Sequence, residues 1–386
     1  MALLTVSCVL AVRSAYAENP VWTHPLDGYN WGVAFDGSNA VYAGGDNIAK
    51  YDIQGSVVWT LPAIGAQDVT TDRIGGVYAA GFYGPNYQWH TFISKFDANG
   101  NSLWTTQFAP AGTAIASGVS ADHLGNVFIT GRLDPGGMPA IGVRNAFVNR
   151  YDAAGNLAWT RTLGDPSEDD EGQDACVDGQ GNVYVTGYTN GSMGGTNFGG
   201  RDAFLAKYDV TGTLVWSRQL GTASQDEAWR VSVDGIGNVF IAGDTYGDFG
   251  GSAGGRDMFL GKFDAQGNLL WTRQLGTSAT DIGWGVAADG AGGAFLGGYT
   301  WGSLGAQNAG LEDVAIAKYD ANGNLTWVTQ FGSSGGDRLR DICANGQDIA
   351  YLTGAGFVAA VSIPEPATLS LLAAGLGAVW LKRRRR

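Results

Sequence analysis

The chain has 386 residues, 62 of them glycine, with 15% charged and a formal net charge of −13. That length and apolar content exclude a disordered protein, and the acidity excludes a nucleic-acid binder, because a phosphate backbone needs a basic partner surface. Three cysteines are too few for a disulfide scaffold.

Leu3 to Val12 opens the chain as an apolar run, and Ala15-Tyr16-Ala17 places small residues where a signal peptidase reads. Residues 1–17 therefore read as a signal peptide cut before Glu18, although no cation precedes the run. Val21-Trp22-Thr23 follows, a tryptophan half-unit with nothing before it. Six complete units come next: Tyr51-Asp52…Trp59, Phe96-Asp97…Trp104, Tyr151-Asp152…Trp159, Tyr208-Asp209…Trp216, Phe263-Asp264…Trp271 and Tyr319-Asp320…Trp327. Phe357 to Ser362 matches the Tyr-Asp half and has no Trp half after it. Each end lacks what the other carries, which predicts an all-β ring over residues 18–362: a seven-bladed propeller whose last four-stranded antiparallel blade is completed by the N-terminal strand.

The unit Asp226 to Gly276 shows the expected blade. Trp229 to Val233 is the inner strand A, Val239 to Gly243 strand B, Met258 to Phe263 strand C and Leu269 to Leu275 the outer strand D. Asp and Gly in the A–B and C–D turns supply a side-chain acceptor and a positive φ. Strands B and C are nearly continuous apolar runs because neighbouring blades cover both faces. Cys176 and Cys343 share one strand-A column with Ala34, Thr70, Ser120, Ser232 and Ala287, which predicts a tight packing slot holding free thiols. The Asp-x-x-Gly-Asn turns lack the carboxylate succession of a calcium loop, and the recurring cation before Tyr or Phe reads as a lattice contact with turn aspartates. The whole pattern resembles the SBBP class of β-propeller repeat from about Gly28 to Ser362. That resemblance implies a fold and no defined activity.

Ile363-Pro364-Glu365-Pro366 ends the last strand. An apolar stretch from Ala367 to Leu381 and five cations follow, reading as a short transmembrane helix whose end stays in the cytoplasm. Residues 363–386, with Pro364, Glu365 and Pro366, resemble a PEP-CTERM sorting signal. The resemblance implies processing by an exosortase, passage through the inner membrane of a Gram-negative-type bacterium, and delivery to the cell surface or extracellular matrix.

Asp170, Asp226, Asp281 and Asp337 open strand A in four consecutive blades, with Trp229 and Trp284 three residues later in two of them and Trp31 at the matching place in the first. Acids and aromatics on the rim that carries the long B–C loops could grip a sugar or a calcium ion. Equally, each Asp could cap its own loop. Glu168-Asp169-Asp170-Glu171 is the densest acid cluster and the first place to look for calcium; no other cofactor is implied. Three scattered histidines and the lack of a phosphate loop speak against an enzyme. The expectation is a non-enzymatic, exported platform binding exopolysaccharide or surface proteins, with signal peptidase and exosortase as processing partners. The alternative is a polysaccharide hydrolase or lyase using rim carboxylates.

Overall fold

In the computed structural model, residues 20–362 are described apart from 63–64, 85–88, 111, 135–142, 166, 252–253 and 347–348. The signal peptide and sorting segment, with Ala15, Ala17, Pro364, Glu365, Pro366 and the expected C-terminal helix, lie outside them. Among the described residues no helix is long and apolar enough to cross a membrane.

Five separate four-stranded antiparallel sheets form blades two to six; blade five, for example, is Asp226–Val233, Val239–Thr245, Asp257–Phe263 and Leu269–Leu275. A six-stranded sheet holds the other two blades, because two long strands each serve twice. Trp22–Phe35 pairs first with Phe357 to Ala360 as strand D of blade seven, then with Val41 to Gly45 as strand A of blade one. Ile349–Ser362 carries strands B and C of blade seven. The ring closes as expected, with Trp22 opposite Ala360 and the Val21 amide donating to the Ala360 carbonyl at 2.7 Å.

Burial follows lane. Strand B of blade five is buried at every position, whereas strand D is half-buried or exposed. The turns work as their residues dictate. Asp264 Oδ1 accepts from the amides of Gln266 and Asn268, Asn268 donates to Asp264 Oδ2, and Gly267 adopts φ +78°.

The repeated tryptophan is a buckle between blades. Each indole N–H of Trp22, Trp59, Trp104, Trp159, Trp216 and Trp271 donates to a carbonyl in the C–D turn of the next blade. The turn glycine lies flat on the ring: a Cβ at Gly267 would come within 2.8 Å of Trp216, so only glycine fits. The recurring lysines behave as lattice contacts, with Lys95, Lys207 and Lys318 within 4 Å of Asp72, Asp178 and Asp289.

Candidate functional site at the two ends of the axis

Every strand A carries a one-residue bulge, visible as a register shift against strand B in all seven blades. The extra residues are Trp31, Gln67, Ser117, Gln173, Trp229, Trp284 and Arg340. A bulge leaves its extra residue outside the ladder and re-aims the side chain. In four consecutive blades the result is a stack: Trp229 lies 4.7 Å from Trp284 at 22°, and Arg340 sits 4.6 Å over both Trp284 and Trp31. Tyr188 meets Trp229 edge-on.

The next residue in each inner strand forms a waist: Gly32, Asp68, Gly118, Asp174, Arg230, Gly285 and Asp341. Asp68 accepts from the Val119 amide, Asp174 from that of Val231 and Asp341 from that of Val33, so each carboxylate clamps its blade to another. The glycines make room: a Cβ at Gly32 would lie 2.2 Å from Asp68. Arg230 crosses the ring to Asp341 and to the Trp31 carbonyl. Three buried carboxylates thus share one buried guanidinium. Burial raises all three carboxylates, Asp174 to about 7, with Arg230 opposing.

Beyond the waist, toward the A–B turns, the axis opens into a cavity of about 410 Å³. The column of Ala34, Thr70, Ser120, Cys176, Ser232, Ala287 and Cys343 lines it. The expected tight slot is therefore corrected: small side chains here keep a space open around the axis. Ser120 and Ser232 accept from the Val177 and Ala288 amides of other blades. Both cysteines are free thiols, and burial raises them well above the ordinary range.

The strand-A aspartates fold back on their own loops. Asp226 Oδ2 accepts from the amide and hydroxyl of Thr222, Asp281 from those of Thr277, and Asp337 from those of Ser333. Asp170 accepts from the Asp165 amide; burial pushes it up to about 6, against the Thr189 hydroxyl beside it. Asp170, Asp226 and Asp281 are completely buried. The four-residue acid run diverges. Glu168 is exposed, Asp169 accepts from the Arg144 amide, and Glu171 holds Arg132 and the Tyr188 hydroxyl. Among the described residues no group of three or more acid, histidine or cysteine side chains could hold a metal ion.

Trp31, Trp229 and Trp284 are thus brought together through Arg340, and the four aspartates instead bond the turns that precede their strands. Reading the sequence by its loop-opening aspartates missed Arg340, Gln67, Gln173 and the waist. Aligning all seven inner strands residue by residue exposes those columns, because each is set by position in the strand and not by residue type.

A family model for the SBBP β-propeller repeat matches residues 158–192, 215–250 and 270–305, and one for the PEP-CTERM protein-sorting motif matches 362–386. The chain carries three SBBP repeats and a PEP-CTERM motif. The matched SBBP stretches each begin one residue before Trp159, Trp216 or Trp271, and run through strand A and strand B of the following blade. The sorting motif makes this an exported propeller protein recognised by an exosortase.

The regulatory protein FlaEY of Caulobacter vibrioides is 27% identical over 175 residues, covering 40% of this chain and 18% of its own. An uncharacterized WD repeat-containing protein of Acanthamoeba polyphaga mimivirus is 22% identical over 356 residues, covering 68% of this chain and 26% of its own. The chain spans little more than a quarter of these relatives at most. Among solved structures, Chaetomium thermophilum Raptor matches at TM-score 0.58 and 10% identity, over 90% of this chain and 29% of its own. The WD40 propeller of Doa1 matches at 0.54 and 12%, over 91% and 96%. Both likenesses are of fold.

Proposed function

We propose that this protein is a non-enzymatic binding platform displayed on the cell surface or held in the exopolysaccharide matrix, engaging its partner through the face that carries the B–C loops. One observation supports this most: many of the carboxylates on that face are already engaged. Glu227 pairs with Arg201 and Arg256, Glu312 with Arg338, and Asp244 with Arg256 and the Trp229 N–H, while the loop-opening aspartates cap their own turns. Glycoside cleavage needs one carboxyl group aimed at the leaving oxygen and another aimed at the sugar or its water. Carboxylates locked as caps and ion pairs are poor candidates for either task. The same ion pairs stiffen the rim, and a rigid rim loses little entropy on binding.

The test incubates the full chain with exopolysaccharide from the producing bacterium. Co-sedimentation without release of reducing ends supports a platform. Release of shortened chains, abolished by Asp226→Asn, would establish the hydrolase or lyase instead.

A further inference from the structure

We infer that the loop-face end of the axis, above the waist, is a binding cup for the uncharged end of a saccharide chain. This deepens the platform reading and rests on it. The seven bulge residues divide into two arcs. Blades five, six, seven and one contribute Trp229, Trp284, Arg340 and Trp31, a continuous stack of three indoles and one guanidinium. Blades two, three and four contribute Gln67, Ser117 and Gln173, set by the same bulge at the same depth. The first arc is rigid, since each ring or guanidinium is packed on its neighbour. The second arc is chemically unspent: no hydrogen bond to another described residue holds the amides of Gln67 and Gln173 or the hydroxyl of Ser117. Gln173 is mostly buried, and its amide makes no hydrogen bond to another described residue. The Trp284 indole N–H is likewise buried without an acceptor. A buried donor without a partner is costly, so an acceptor from a ligand at the Trp284 N–H would be favoured, while the amides and hydroxyl of the second arc can exchange water for ligand.

The unspent groups define the ligand. Amides and hydroxyls both donate and accept, as sugar hydroxyls do. Local charge is already used: Arg340 lies between two indole faces and Arg230 is tied to Asp341. Nothing here therefore selects for a uronate or an amino sugar.

The probe is a printed array of neutral, acidic and amino oligosaccharides, read with the full chain and followed by calorimetry on the glycans retained. The expected result is retention of neutral glycans. The double variant Gln67→Ala/Gln173→Ala should then bind at least tenfold more weakly with an unchanged melting temperature. Retention of only acidic or amino glycans, or neutral-glycan affinity that survives the double variant, overturns the cup. In those cases exopolysaccharide co-sedimentation still measures the platform reading separately. A glycan bound equally by the double variant places the partner on the loops and leaves that reading standing.

Discussion

Blades four to six and the seam between blades seven and one are the same architecture built two ways. In blades four to six a continuous stretch of chain supplies all four lanes, and in blades four and five strand D buckles onto the next C–D turn. At the seam the sheet is made from both ends of the propeller. Blade seven has no C–D turn of its own, so Trp327 of blade six, although only 7% exposed, has an indole N–H without an acceptor. The seam compensates at two radii. Outside, Trp22 to Pro25 zip onto Phe357 to Ala360; inside, Asp341 clamps the Val33 amide and Arg230 braces both sides. The regular blades hold by the repeated buckle, whereas the seam holds by its zipped outer strand and by the Arg230 brace.

The largest expected effect follows from removing the outer lock. Deleting residues 21–26 strips strand D from blade seven and leaves a bare edge. Calorimetry should show loss of the single cooperative transition, and a transition kept within a few degrees of the parent would break the comparison. Next is Arg230→Met, which leaves three buried carboxylates without their cation. It should cost about 3–5 kcal/mol in denaturant unfolding at pH 7 and less at pH 5, where protons replace the guanidinium.

The pH profile itself sharpens the contrast. Asp174 is raised in the folded ring, so its contribution is fully present below the unfolded carboxylate range and is lost as pH rises toward 7. The turn aspartates Asp97, Asp152 and Asp209 are lowered, chiefly by side-chain hydrogen bonds from Asn101, Asn156 and Thr211, and contribute stability that is lost as pH falls. Melting temperature should therefore peak in mildly acid buffer and decline toward neutrality. Asp174→Asn should flatten the neutral limb and spare the acid one. The smallest effect is the most diagnostic: Trp271→Phe removes a buckle hydrogen bond that Trp327→Phe has none of to lose. The first should cost about 1 kcal/mol more than the second, and equal costs would mean that the buckles are merely apolar.

The ring was legible in the sequence because its evidence is long-range and redundant: six full units and two complementary halves admit few other folds. The turn chemistry was legible for the same reason. The inner strands were harder. A bulge breaks the alternation of a strand, so Trp229 and Arg230 stand side by side and no two-residue period marks which one faces the axis. The waist hides for another reason, since Asp, Arg and Gly share its column and the glycines are there only to make room. The loop-opening aspartates stood out by repeating, yet repetition marks what every blade needs, and every long loop needs a cap. The unlike residues, Gln67, Ser117 and Gln173 against three tryptophans, mark what a single molecule on the axis would distinguish.

The seam also sets a schedule. Val33 and the carboxylate that holds it are 308 residues apart, so the strand made first meets its inner clamp only after nearly the whole propeller exists. For a chain bound for the far side of a membrane, that delay is useful: the toroid cannot snap shut while its last sector is still missing, and transit and closure become successive events.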